Sequence, residues 1–167
     1  MVKLEDQNSC YNLVIMANTL LIYGSLTGNT EGVSYKLQEF CKTKGKEVEV
    51  KNAIDADLAD LQGPHSSFIF ACSTWDDGLP QADFVDFIER VNKSQISLAG
   101  KKIAILGCGD SNYVHFCGAI EAIEKAFVTE MGGTKIMESL RIDGYPETEE
   151  NQAILNRWVE KLVTLID

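Results

Sequence analysis

The sequence predicts one α/β domain built on a doubly wound parallel sheet with helices on both faces. Three observations carry this. Five apolar segments of strand length alternate strictly with helical ones. Two of those segments, FIFAC and IAILG, are continuously apolar, as strands buried on both faces are. The residues least expected in a packing role follow the first, third and fourth strands, at the edge where such a sheet forms its ligand crevice. A chain of 167 residues is long enough for one core of this kind.

The strands read as Thr19–Tyr23, Glu47–Lys51, Ser67–Cys72, Lys102–Gly107 and Lys135–Ile142. Between the first two, Val33, Leu37, Phe40 and Cys41 recur at helical spacing. The second linker, Asp55–Gln62, has room for a short helix at most. Phe84, Val85, Ile88 and Val91 mark the third helix, and Ile123, Ala126 and Phe127 the fourth, which Gly132 and Gly133 end. Ile154, Leu155, Trp158, Val159 and Leu162 mark the last. Residues 1–17 read as a flexible N-terminal extension and 18–167 as the domain. Met16 stands just before the first strand, and the segment YNLVIM could instead add a short strand or pack on the surface.

The formal net charge of −10 disfavours nucleic acid and anionic membrane surfaces, because neutralising phosphates takes clustered Lys and Arg. It suits a partner with a basic docking face, or serves solubility alone. No apolar run is long enough to span a bilayer, and the N-terminus is a poor secretory signal. Five cysteines with no CxxC pair read as reduced thiols of a cytoplasmic protein.

The first strand runs into Gly24-Ser25-Leu26-Thr27-Gly28-Asn29-Thr30 and then a helix. Small residues let the backbone wrap closely around an anion, and successive N–H groups at a helix N-terminus supply partial positive charge. Hydroxyls of Ser25, Thr27 and Thr30 and the Asn29 amide can complete the shell. The loop holds no Lys or Arg, which excludes a nucleotide-triphosphatase P-loop, and GxGxxG is also absent. Taken alone, the segment also suits an ordinary strand–helix turn rich in N-capping residues.

Strand three runs into Ser73-Thr74-Trp75-Asp76-Asp77-Gly78, and strand four into Gly107-Cys108-Gly109-Asp110-Ser111-Asn112-Tyr113, followed by His115-Phe116-Cys117-Gly118. A lone loop aromatic is more often packing. Two of them on neighbouring loops beside a phosphate loop can clamp a planar ligand between their faces.

The runs S-x-T-G-N-T, S-T-W and G-C-G-D-S-x-Y…F-C-G-A resemble the short-chain flavodoxins, most closely those of sulfate-reducing bacteria, over about residues 18–167. The resemblance implies a flavodoxin-like five-stranded parallel sheet in the order 2-1-3-4-5. It also implies a non-covalently bound flavin mononucleotide (FMN) that cycles between oxidised, semiquinone and hydroquinone forms. By that resemblance Ser25, Thr27, Asn29 and Thr30 grip the FMN phosphate within a loop that Leu26 and Gly28 complete, joined by hydroxyls of Ser73 and Thr74. Trp75 covers the inner face of the ring and Tyr113 the outer, while Asp76, Asp77 and Gly78 continue the second loop. Backbone groups near Thr74, Asp110 and Cys117 bond the pyrimidine edge, in the segment that also carries Cys108, Gly109 and Phe116. No catalytic residue and no metal ligand is implied, and His65 and His115 read as solvated loop residues.

In the family, the carbonyl after the inner aromatic turns to accept a hydrogen bond from the protonated N5 of the reduced ring. That residue is Asp76 here, where many relatives carry glycine, and the loop Trp75–Asp83 is shorter than the family pattern and contains Pro80. Asp takes positive φ less readily than glycine, so weaker semiquinone stabilisation is expected. The function expected is a low-potential one-electron carrier, a monomer serving redox enzymes such as reductases and oxidoreductases. An FMN-dependent NAD(P)H:quinone reductase is the rival, but it needs one ring face free. A receiver-type signalling domain needs an acidic cluster after strand one and an Asp ending strand three, and finds Gly24-Ser25 and Cys72-Ser73-Thr74. An FMN-binding interaction module with no electron-transfer duty is separated from a carrier by well-resolved one-electron steps.

Overall fold

In the computed structural model, residues 17–167 are described, so the expected extension over 1–17 falls outside them apart from Ala17. Strand β1 (Thr19–Gly24) lies between β2 (Val48–Asn52) and β3 (Ser67–Trp75), parallel to both, with Thr19 opposite Val48 on one side and Ser67 on the other. On its far side β3 pairs in parallel with β5 (Lys102–Gly109), from Ser67 opposite Lys102 to Ser73 opposite Cys108. The outer edge holds β6 (Thr134–Lys135) and β7 (Leu140–Asp143), both paired to β5. This is the expected 2-1-3-4-5 order, with the fifth position shared by two short strands.

Alternate residues of the central strands face opposite helical layers. Leu20, Ile22, Phe68, Phe70, Ile103 and Ile105 meet α3 (Ala82–Ser94) and α4 (Ala119–Ile123) through Phe84, Phe87, Val91, Ile120 and Phe127. Leu21, Tyr23, Ile69, Ala71, Ala104 and Leu106 meet α1 (Asn29–Thr43) and α5 (Glu149–Leu162) through Val33, Leu37, Leu155, Trp158 and Leu162. Burial on both faces is why these strands lack polar alternation. The linker after β2 forms α2 (Leu58–Gln62), held by a capping box between Asp57 and Asp60.

The structure corrects the sequence reading in three places. The continuous fifth strand Lys135–Ile142 is interrupted: between the Ile103–Lys135 and Leu106–Leu140 pairs, β5 advances three residues (106 − 103) while the edge advances five (140 − 135). The two surplus residues are thrown out of the ladder as a bulge. Met137 is buried there, and the Trp158 indole N–H donates to the Glu138 carbonyl at 2.8 Å. Ser73 continues β3 opposite Cys108, and a short strand, β4 (Leu79–Pro80), pairs antiparallel with Thr74 and Trp75, so all three are strand residues and the turn is only Asp76–Gly78. Finally, α4 widens into a π-helical stretch over Glu124–Glu130, which sets the Phe127 ring on Phe70 at 4.0 Å between centroids.

Candidate functional site

The winding of the sheet reverses between β1 and β3, and the C-terminal ends of β1, β3, β5 and β7 meet at one rim. A cleft of about 540 Å³ opens there. Its walls include Thr27, Asn29, Ser73, Thr74, Trp75, Asp76, Cys108, Gly109, Asp110, Tyr113, Phe116 and Cys117 from the sequence reading. Leu26, Gly28, Asp77 and Gly78 belong to the same loops without lining the cleft, and Ser25 and Thr30 are tucked beneath the first loop.

The first loop carries the features of an anion cradle. Gly28 takes φ 87° and stands before α1 without any side-chain cap, and the first backbone bond of the helix runs from the Gly32 N–H to the Gly28 carbonyl. The N–H groups of Asn29, Thr30 and Glu31 have no preceding turn to serve. By contrast Asp57, Gln81 and Thr148 cap α2, α3 and α5 with side-chain acceptors. The Ser25 and Thr30 hydroxyl oxygens are buried with no oxygen or nitrogen partner among the described residues, Thr30 facing the Cys108 thiol. Thr19, Ser67 and Ser139 also bury unpartnered hydroxyls away from this loop. What sets Ser25 and Thr30 apart is their place beside an uncapped helix N-terminus, which suits an acceptor supplied from outside the chain.

The second loop is shaped for a flat ligand. Trp75 is 37% exposed, and its indole N–H donates to the Ser73 hydroxyl at 2.9 Å. The Gly78 N–H closes the turn onto the Trp75 carbonyl at 3.1 Å, and Asp76 stands at φ 46°, a left-handed backbone that Asp was expected to take less readily than glycine. The Thr74 hydroxyl accepts the Ala119 N–H at 3.1 Å, so it links this loop to the start of α4. Ser73 and Thr74 therefore already hold partners within the protein, in contrast to Ser25 and Thr30.

The third loop spans Asp110–Gly118. Asn112 donates through both its backbone N–H and its amide to the Asp110 carboxylate. Tyr113 is 69% exposed on the cleft wall. Cys117 is fully buried at φ 55°, a costly conformation for a side-chain-bearing residue and one that gathers at functional loops. Gly109 must be glycine, since a Cβ there would stand 2.9 Å from the Cys117 nitrogen. Gly118 lies equally close to the second loop: its Cβ would meet the Gly78 carbonyl oxygen at 2.7 Å.

Three wall residues were not anticipated. His115, read as a solvated loop residue, does remain exposed, but it also lines the cleft with its Cβ against Gly78. Gly144 and Tyr145 line the cleft from the turn after β7, where the Gly144 N–H donates to the Gly109 carbonyl at 2.8 Å. An aromatic just past a fifth parallel strand was the available signal, because that strand ends at the same rim.

Burial pushes the Cys72 and Cys117 thiols up to about 12 and Cys108 to about 11, the last partly offset by the neighbouring Thr30 hydroxyl. Burial also raises Cys41, on the far layer, to about 12. These thiols stay protonated and unreactive at neutral pH. Above pH 9 an unfolded chain releases protons that the folded one retains, so stability falls as pH rises from about 9 toward 12. In a Cys10→Ser chain at pH 8, a chromogenic disulfide reagent should release less than one thiol per folded chain within minutes and all four after denaturation. Rapid native release of even one would contradict this burial.

Fold and rim together define a doubly wound domain with an uncapped helix end and an aromatic-walled cleft at the switch point of its sheet. The sequence model of the Flavodoxin family matches residues 21–158. A flavodoxin of Maridesulfovibrio salexigens is 41% identical over 81% of this chain and 92% of its own. One from Nitratidesulfovibrio vulgaris is 37% identical over 90% and 100%. The solved structure of oxidised flavodoxin 2 from Bacillus cereus superposes with a TM-score of 0.81 at 29% identity, covering 87% of this chain and 97% of the other. The chain belongs to the flavodoxin family. It is an FMN-binding electron-transfer protein rather than an enzyme. No helix among the described residues is long and apolar enough to cross a membrane.

Proposed function

We propose that the rim cleft is the FMN site of the domain spanning residues 18–167, with the phosphate on Ser25, Thr27, Asn29, Thr30 and the first N–H groups of α1. The ring lies between Trp75 and Tyr113, with its pyrimidine edge along Cys108–Cys117. FMN supplies one-electron chemistry when bound; the chain binds it, fixes its orientation and excludes water from its faces. The observation that carries this reading is the uncapped N-terminus of α1 with the buried hydroxyls of Ser25 and Thr30 beside it, neither bonded to an oxygen or nitrogen of the described residues. They seat a dianionic monoester with no cation in the loop.

The carrier works at low potential, because reduction places negative charge near an uncompensated phosphate and the carboxylates of Asp76, Asp77 and Asp110. A charge about 10 Å away through water contributes about 0.4 kcal/mol. Several reach roughly 1–2 kcal/mol, against about 1.4 kcal/mol for a 59 mV shift of a one-electron step. Shielding of the ring by the two aromatics weighs more. Redox partners dock at this rim through basic faces: the exposed apolar side chains Leu26, Leu79, Tyr113, Val114 and Tyr145 share it with acidic Asp76, Asp77 and Glu147. The protein acts as a cytoplasmic monomer.

Anaerobic titration of FMN-loaded protein is expected to give two resolved one-electron steps, with no steady NAD(P)H–quinone turnover. Protein that stays colourless after incubation with excess FMN would refute the site. Asp76 gives a finer test. Asp76 already stands in left-handed backbone, so only the further turn of its carbonyl that accompanies reduction can separate it from glycine. That turn costs Asp up to about 1–2 kcal/mol more than glycine, so Asp76→Gly should raise the first reduction potential by up to about 40–90 mV and increase the maximal one-electron-reduced fraction. A fall in either quantity, or no change, defeats that expectation.

A further inference from the structure

We propose that Arg141 and Asp143, two charged residues of the edge strand β7 that lie outside the cleft, are positioning residues for the flavin ring. They fix both ends of the segment Asp110–Gly118. The inference rests on the assignment of the cleft to FMN.

Arg141 and Asp143 stand opposite Gly107 and Gly109 of β5 and, two residues apart on a strand, project from the same face. Both reach back across β5 to the third loop. At the start of that loop the Asp143 carboxylate accepts the Ser111 N–H at 2.8 Å and the Ser111 hydroxyl at 2.5 Å. Those two bonds hold its carboxyl below the usual Asp range. At the end of the loop one Arg141 guanidinium nitrogen donates to the carbonyls of Phe116 at 3.1 Å and Cys117 at 3.4 Å. The other donates to the Glu121 carboxylate at 2.6 Å, which orients the fork and balances its charge.

What these two side chains brace is a strained segment whose backbone bonds, Tyr113 N–H to the Asp110 carbonyl and Gly118 N–H to the His115 carbonyl, are local. Cys117 sits at a positive φ that favours glycine, its flanking carbonyls are the ones Arg141 grips, and its N–H has no acceptor among the described residues. Gly109 lacks a Cβ so that this nitrogen can approach β5. Without Arg141 the Phe116 carbonyl loses its partner and the Cys117 carbonyl keeps only the Ile120 N–H, so the Phe116–Cys117 peptide can relax toward negative φ and turn the free N–H away from the cleft. Tyr113 lies between the two anchors, so its ring is located by both.

The test measures dissociation constants of apoprotein for FMN and for riboflavin, which has the ring without the phosphate, together with visible circular dichroism of the bound flavin and the melting of the apoprotein. Arg141→Gln should weaken both flavins by a similar factor of about 10- to 100-fold, the range for hydrogen bonds from a charged donor. It should also change the dichroism of the bound ring. Arg141→Lys, which keeps the charge but reaches only one carbonyl, should recover part of the loss. Asp143→Asn should act in the same direction. Lys135→Gln breaks the Lys135–Glu124 pair on the same sheet edge away from the cleft and serves as the structural control; it should leave both affinities within about twofold. Unchanged riboflavin affinity in Arg141→Gln, or an equal loss in Lys135→Gln, overturns the proposal. Wild-type protein that binds neither flavin overturns instead the site assignment beneath it.

Discussion

Combining Ser25→Ala with Thr30→Val should weaken FMN binding by about 10²- to 10⁴-fold while leaving riboflavin binding nearly unchanged and making the apoprotein more stable. Each hydrogen bond to a charged acceptor is worth about 1.5–3 kcal/mol, and two such bonds give that range of affinity. The opposite sign in the apoprotein follows from the same atoms. Both hydroxyl oxygens are buried without an oxygen or nitrogen partner in the described structure. Removing them relieves up to about 1 kcal/mol each. Valine keeps the shape of threonine at a position that is fully buried next to the Cys108 thiol. Isothermal titration with the two flavins and thermal melting of the apoprotein read the three expectations separately. A double variant that loses riboflavin as strongly as FMN would show that the loop does not act through the phosphate.

The second large effect is expected at a residue with no functional side chain. A Cβ on Gly118 would stand 2.7 Å from the Gly78 carbonyl oxygen and 2.9 Å from its Cα, and backbone atoms cannot rotate aside. Gly118→Ala must push the second and third loops apart, at about 1–3 kcal/mol for overpacking of this kind. The loops that separate carry Trp75 and Tyr113, so the loss appears in both flavins at once, by about tenfold or more. Gly32→Ala provides the contrast: it lies inside α1 at ordinary φ with open space around it, and should add about 1 kcal/mol of stability with FMN binding intact. Equal flavin affinity in Gly118→Ala and Gly32→Ala would mean that the two loops are not mutually braced.

The place of the first loop at the rim was legible before any coordinates because it depends on local chemistry: a run of small and hydroxylated residues between a strand and a helix, with no cation, marks a tight strand–helix turn able to face an anion. The layers were legible because FIFAC and IAILG can only be covered on both sides. What escaped notice depended on contacts distant in sequence. The break of the fifth strand arises from unequal spacing against β5, and the sequence of 135–142 is apolar enough to hide it. Thr74 and Trp75 become strand only because Leu79–Pro80 folds back on them. Arg141 and Asp143 look like the solvent-facing half of an alternating strand; only the tertiary fold shows that their solvent side is the flank of the third loop.

The bare helix end at Gly28 also bears on how long the protein survives. A chain whose polar groups await an external partner is stabilised in proportion to the supply of that partner. Free FMN at a hundred times its dissociation constant adds about 2.7 kcal/mol, a sizeable part of the 5–15 kcal/mol that keeps an average domain folded. Heat tolerance and resistance to proteolysis should then track flavin supply, so that a cell short of the vitamin clears idle carriers while loaded ones persist.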